Sequence, residues 1–423
     1  MSLFRRAGAA IARFFTSAAD PAAAAGELQL YSKDVGGESQ LFARSDAGTI
    51  SQLTPIATPA APTPASNLLR NSGFWFAQRQ SPGSNTTYNS ATVRRISADG
   101  WGITNENASA QYQRTDTIAA PEVNLQSRYY GRFTKSTSTG KLEITQGVEA
   151  SDSQNVRGRT VRVQVQMRGL VAASALWNVG LVQYIGGSFD PGAGSSFFTS
   201  QNANGTDPTL DAIFFSYLTP NGAFPADGGT IVGNKIQATI TNDPTWVRVG
   251  GCFDVPTTAK NLYVVIWSDS QVAVTNGIAI GQAHLVDSTE IQDWSPLSVE
   301  EELARVQRYY SKSFNVDTAP VNGQSLGRVL ATVTSAGATA QRMGFRLPVT
   351  MLVSPAITPT LAIFNPGTGT AGQVKNLVTD TDATGTNTTR SVNALGADFD
   401  FTGEASWVVG QPVAIQYTID TEI

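Results

Sequence analysis

The chain has one cysteine, Cys252, and one histidine, His284. A lone cysteine excludes an intrachain disulfide and any cysteine-based zinc site, which needs several ligands. A lone histidine removes most imidazole-dependent catalysis, because a nucleophile needs a base beside it. His284 alternates with Ala283 and Leu285, and Cys252 follows Gly250-Gly251 in a strand-like run. Both read as structural. Charged residues are 15% of the chain, against about a quarter in an average soluble domain. A net charge of -4 gives nucleic acid no basic surface to meet. No apolar run approaches the roughly 18 residues of a membrane-spanning helix. No glycine pattern of a phosphate-binding loop follows a strand and opens a helix, and no compact Asp/Asn/Gly calcium loop is visible. No metal, cofactor or nucleic-acid partner is therefore expected. The 33 acidic residues leave glycoside hydrolysis open by composition, since two carboxylates suffice, but no pair stands out. The expectation is a protein without enzymatic activity.

What fills the chain is Gly, Ser, Thr, Asn and Gln, a mixture that suits strands joined by tight turns. A length of 423 residues exceeds one ordinary core, so two folded domains and a tail are expected. In residues 1–25, Phe4, Ala7, Ile11, Phe14 and Ala18 recur at helical spacing, with Phe15 bordering the stripe. The spacing predicts an amphipathic helix, marginal alone at this length, that docks on a partner or self-associates; a membrane-surface helix and a frayed tail are the other readings. Arg13 interrupts the apolar run, unlike a signal peptide; the lone cysteine and the lack of a membrane span lead to the expectation of synthesis in a reducing cytoplasm, whatever the final location. Residues 26–55 hold three β-runs split by Gly36-Gly37 and Asp46-Ala47-Gly48. Thirty residues bury no core of their own, so this meander is expected to intertwine with copies of itself or lie on a larger body. Pro59, Pro62 and Pro64 make 56–66 an extended linker.

Residues 67–297 carry strict alternation in Val161–Arg168, a continuously apolar run over Leu262–Trp267, and turn clusters such as Asn221-Gly222 and Asn242-Asp243-Pro244. Many short strands with such turns imply a sandwich or barrel. The stretch 188–235 is poorly periodic and reads as extended loops. Ser298 and Glu301 form a capping-box pair opening a helix over about 299–313, with Leu303, Val306, Tyr310 and Phe314 on one face. Residues 316–423 read as a second, smaller β-domain, ending in the alternation of Ile415, Tyr417 and Ile419.

Four of these stretches resemble tailed-bacteriophage proteins. The run LYSKDVGGESQLFARSDAGTISQLTP is similar to the N-terminal virion-attachment segment of phage fibre and appendage proteins. The order N-LL-NSGF, ADGW, VRVQVQMRG, TWVRVGGCFDVP, IAIGQAHL resembles the carbohydrate-binding-module-like jelly rolls of phage tail and fibre proteins. EELARVQRYYSKSFN resembles the segment that follows such jelly rolls, with Val306 where that family carries a cysteine, and FRLPVTMLVSPAITP the small terminal domain. The resemblance implies a mainly β protein: a jelly-roll sandwich, a connecting helix over 298–315 and a C-terminal β-sandwich, held by an N-terminal anchor. It implies a homotrimeric fibre or spike assembled in the host cytoplasm and carried on the virion. Residues 1–55 would bind other head or tail proteins through Phe4, Ile11, Phe14, Phe15, Leu30, Tyr31, Leu41 and Phe42. The β-domains would meet host surface polysaccharide. A decoration protein without a receptor, and a secreted carbohydrate-binding or carbohydrate-cleaving protein, are the alternatives. Carbohydrate recognition needs an aromatic surface with amide hydrogen bonders. Trp75, Trp177, Phe197, Phe198 and Phe224 are the candidate contacts, while Trp101, Trp246 and Trp267 read as core.

Overall fold

The computed structural model describes residues 11–16, 27–35, 38–44, 50–52, 66–80, 84–88, 95–96, 99–116, 125–170, 175–186, 197–200, 204–223, 228–241, 246–290, 293–320, 327–353, 359–366, 371–383 and 388–421. They fall in two compact units, Met1–Pro64 and Ala65–Ile423.

In the first unit the strands Ile11–Thr16, Glu27–Val35, Glu38–Arg44 and Ile50–Gln52 form one sheet in that order. The last three are the predicted meander. The first corrects the helix expectation over its described part: Ile11–Thr16 pairs in parallel with Glu27–Val35, setting Phe14 beside Leu30 and Phe15 beside Tyr31. Its aromatic and β-branched residues suit a pleated strand, and a ladder supplies at once the hydrogen bonds that an isolated short helix makes only marginally. Phe4 and the 56–65 part of the linker lie outside the described residues, as do the side chains of Ile11, Phe14, Phe15, Leu30, Tyr31 and Leu41; Phe42 is half-buried.

The second unit opens with a jelly-roll sandwich of two antiparallel sheets. The first sheet runs Thr230–Val232, Lys235–Ile240, Ala175–Tyr184, Asn261–Ser268, Leu142–Gly147, Trp101–Asn105, Arg95–Ile96, with Phe215–Tyr217 also pairing with Ala175–Tyr184. The second runs Pro220–Ala223, Val247–Asp254, Thr160–Gly169, Gly277–Val286, Tyr129–Lys135, Ala110–Asp116, Thr86–Tyr88. The core between them includes Trp101, Ile103, Ile144, Val161, Val163, Val165, Val264 and Ile266, all fully buried. Val161–Arg168 alternates as expected, but its other face is not wetted: Arg162 and Gln164 are also buried. Asn261–Ser268 is buried on both faces, as its unbroken apolar run requires. The stretch 188–235 is corrected too, since it contains Phe198–Ser200, Thr209–Leu210, Phe215–Tyr217, Pro220–Ala223 and Thr230–Val232.

Residues 67–74 and 99–101 build a joint at one end of the sandwich. Asn71 has left-handed backbone at φ 48° and Phe74 at φ 56°. The Asn71 amide donates to the Phe76 and Asp99 carbonyls at 2.8 and 3.0 Å, and Trp101 Nε1 donates to the Asn71 carbonyl at 3.2 Å. The helix Val299–Gln307 is capped by Ser298 and Glu301 as predicted. It ends earlier than expected, because Tyr310–Lys312 leaves to pair with the last strand. Its buried face is Glu302 and Val306, and the Glu302 carboxylate accepts from the Asn71 N–H. Trp294 donates to Ser72 Oγ at 3.1 Å and its ring lies on Gly73, where a Cβ would come within 2.7 Å of it.

Beyond the joint, Pro412–Asp420 is the central strand of a five-stranded sheet, paired with Tyr310–Lys312, Val329–Thr332, Thr360–Phe364 and Lys375–Asn376. A three-stranded sheet of Ala340–Arg346, Gly396–Thr402 and Thr388–Asn393 completes this smaller β-region. Trp407, Phe399, Phe401 and Ile415 share its core.

Candidate functional site

The strand Trp101–Asn105 runs from the joint to the opposite, distal end of the sandwich. There a cleft of about 390 Å³ opens between the two sheets. Leu170, Trp177, Ile240 and Val272 form its apolar floor, and Ser270, Gln271 and Asn276 its rim. Strand ends place these residues. The Leu170 N–H donates to the Gly277 carbonyl at 3.4 Å and the Asp269 N–H to the Leu176 carbonyl at 3.0 Å. The 270–276 loop is pinned by mutual Gly140–Val272 backbone hydrogen bonds of 3.1 and 2.9 Å. Gln271 is exposed, its backbone N–H donating to Asn204 Oδ1 at 2.8 Å. The lining carries hydroxyls and amides and, among the described residues, no charged side chain.

Directly behind Ser268 and Ser270, Asp269 anchors a polar group on the outer face of the first sheet. Its Oδ1 accepts from Gln237 at 3.0 Å and from Asn178 and Lys235 at 3.3 Å each. Lys235 also pairs with Asp207 at 2.6 Å. Lys141 donates to the Thr206 carbonyl at 2.6 Å. One row along the sheet lies Glu143, fully buried, opposite Trp267 and Thr104. Burial pushes its carboxyl up to about 8, against the opposing pull of Lys141, so the group is held neutral at pH 7. A buried neutral acid beside ammonium groups is a common setting for proton transfer. Here the carboxyl belongs to a buried polar network and not to an open cleft. Among the described residues no group of three or more His, Cys, Asp or Glu is placed to hold a metal.

Of the aromatic contacts expected from the sequence, Trp177 enters the cleft, but as a floor residue only 1% exposed rather than a stacking platform. Phe197 and Phe198 are corrected: both are buried in an aromatic cluster with Tyr184, Phe215 and Tyr263 on the outer face of the first sheet. Phe224 lies outside the described residues. Trp75 is half-buried and far from the cleft, edge-on to Tyr129 at 5.6 Å, with Arg114 and Arg128 over the Tyr129 ring. Trp101, Trp246 and Trp267 are core, as expected. Sequence reading passed over Ser270, Gln271 and Asn276. Only the turn-like run Ser268–Asn276 after an apolar strand hinted at a loop there.

No protein-family model matches the sequence, and no curated protein matches it. Solved structures do. The family 61 carbohydrate-binding module TmCBM61, solved with β-1,4-galactotriose, is 10% identical over 53% of this chain and 100% of its own, with a TM-score of 0.29. The C-terminal family 22 carbohydrate-binding module of Clostridium thermocellum Xyn10B is 14% identical over 48% of this chain and 98% of its own, with a TM-score of 0.27. The enzymatically active domain of bacteriophage CBA120 tailspike protein 4 is 10% identical over 44% of this chain and 19% of its own, with a TM-score of 0.25. Likenesses this low carry no functional argument.

The cleft makes one prediction by itself. Gln271→Ala and Asn276→Ala, singly, leave the thermal midpoint within about 1 °C, because neither side chain supports the core. Any saccharide held in the cleft loses about 0.5–1.5 kcal/mol of binding per amide removed, read by titration calorimetry. Unchanged binding in both variants would place the ligand elsewhere.

Proposed function

We propose that this protein is a fibre or spike of a tailed-phage virion that binds host-surface glycan without cleaving it. The observation that carries the glycan reading is the distal cleft. Its apolar floor suits the C–H face of a sugar ring, and its amide and hydroxyl rim suits ring hydroxyls. Among the described residues its lining holds no carboxylate, whereas glycoside hydrolysis needs two flanking the scissile bond. The cleft lies at the end of the sandwich away from the connecting helix and second β-region, where a receptor can enter.

The virion reading is supported by the similarity of residues 26–55 to phage attachment segments. The self-association reading is supported by the N-terminal sheet. Its outer strands, Ile11–Thr16 and Ile50–Gln52, each have one partner among the described residues, and such edges pair readily with further chains. A homotrimer follows from the resemblance. Light scattering on the full chain and on residues 66–423 tests it: three copies are expected for the first and one for the second. A full-length monomer would sink the assembly role. Glycan-array binding by the full chain, with no released reducing sugar, is the expected result for the receptor role. A blank array would favour a decoration protein.

A further inference from the structure

We propose that a second pocket beside the cleft takes the carboxylate of an acidic sugar residue, so that the preferred ligand is a uronate-containing saccharide. This rests on the glycan reading of the cleft and adds its charge class. The pocket measures about 190 Å³ and lies on the outer face of the second sheet. Its walls present the amides of Asn85, Gln111 and Gln113, the guanidinium of Arg132 and the hydroxyl of Thr275, with no carboxylate and no aromatic ring among the described residues.

Arg132 is the decisive group. It is half-buried, makes one hydrogen bond, to Gln113 Oε1 at 3.1 Å, and has no ion pair among the described residues. A guanidinium has five donors in a planar fork matched to a carboxylate, and one withdrawn from water normally has an anion to meet. The Lys135 ammonium is turned away from the pocket, buried against Asn105 Oδ1 at 3.1 Å and the Glu106 carbonyl on the first sheet's side. Arg132 is thus the charge of the wall, and among the described residues no acid lines it. Three amides beside the guanidinium fit ring hydroxyls, which a bare inorganic anion lacks. The missing aromatic surface disfavours an apolar ligand.

The pocket and the cleft meet at one turn. Thr275 lines the pocket and Asn276 the cleft. The turn is held by Thr275 N–H to Lys135 carbonyl and Lys135 N–H to Asn276 carbonyl hydrogen bonds of 2.8 and 3.0 Å. Thr275 sits at φ 68°, a left-handed conformation that a β-branched residue rarely adopts. One saccharide chain can therefore place a neutral ring in the cleft and an acidic one against Arg132.

Titration of the full chain with an oligosaccharide of alternating glucose and glucuronic acid, and with its carboxyl-reduced counterpart, tests this. The acidic form should bind at least about ten-fold tighter, as one charge-assisted bidentate pair implies, and added salt should erode that advantage. Arg132→Gln should abolish the difference. So should Asn85→Asp, at an exposed position that leaves the fold untouched. Gln271→Ala should weaken both saccharides equally and preserve the preference. Equal binding of the two, with both weakened by Gln271→Ala, would overturn the acidic pocket and leave the cleft standing. Full competition by inorganic phosphate would reduce the pocket to a simple anion site and also overturn the proposal. Failure of both saccharides to bind would remove the glycan reading itself.

Discussion

Trp101→Ala lowers the unfolding free energy of the 65–423 unit by about 3–5 kcal/mol, the usual range for deleting a buried tryptophan. Trp101 is fully buried and stacks on Phe74 at a centroid distance of 5.3 Å, and Phe74 in turn meets Phe133 at 6.0 Å. The substitution opens a cavity at the root of the sandwich. It also removes one of the two donors to the Asn71 carbonyl, leaving the Phe74 N–H at 3.0 Å, just where Asn71 ties the first segment to Asp99 and to the helix through Glu302. Two costs therefore fall at one place: lost apolar burial and one lost buried hydrogen bond. Trp75→Ala is the control, since that ring is half-buried and should cost about 1 kcal/mol or less. Urea unfolding of both variants reads the difference. Equal losses would mean that the joint does not organise the unit.

The second large effect is a pH dependence with two opposite slopes. Glu143 has a folded value of about 8 against an ordinary 4.5. Below pH 4.5 its carboxyl is protonated in both states and the burial carries no penalty. Between pH 4.5 and 8 the unfolded chain releases the proton and the folded chain keeps it, so stability falls as pH rises. Linkage puts the total on the order of 4 kcal/mol. Glu143→Gln keeps the shape and removes the proton, so its stability should stay flat from pH 5 to 8 where the parent's falls. His284 acts the other way. Burial first, then Arg162 and Arg248, hold its imidazole down at about 4. Its contribution is present above pH 6.5 and is lost as pH drops through 4, by about 3 kcal/mol. His284→Gln should flatten that acid limb. Denaturation midpoints at pH 4, 6 and 8 check both, and parallel curves for parent and Glu143→Gln would show that Glu143 is ionised in the folded state.

Periodicity carried most of the architecture. The two-residue alternation of Val161–Arg168 and the unbroken run Leu262–Trp267 marked the strands of the sandwich, because strand geometry writes itself into sequence at period two. The helix start was equally plain, since Ser298 and Glu301 act locally through their own backbone. The N-terminal strand was not legible. Ile11, Phe14 and Phe15 satisfy a helical stripe as well as a strand, and the choice belongs to the partner strand Glu27–Val35, sixteen residues on in the register.

The candidate site was less visible still. Trp177 was singled out as an aromatic near a turn, and it does floor the cleft. Phe197 and Phe198 looked like loop residues open to a ligand, but the outer face of the first sheet offered them Tyr263 and Phe215 to pack on. Ser270, Gln271, Asn276 and Arg132 carry no motif. Polar residues of such ordinary kinds become a site only when strand ends from both sheets bring them to one opening.

The sequence by itself determined the class of protein: mainly β, poor in charge, with a single imidazole and a single thiol and without the glycine patterns of phosphate-binding loops. Those are properties of composition and local spacing, and no tertiary contact can restore a missing residue type. Only the tertiary structure decided that the NLLRNSGF and ADGW segments come together as a joint. It alone placed the neutral cleft and the cationic pocket on either side of Thr275 and Asn276. Such proximity depends on which strands pair across the sandwich, and pairing is set by the packing of the whole core rather than by any one stretch of chain.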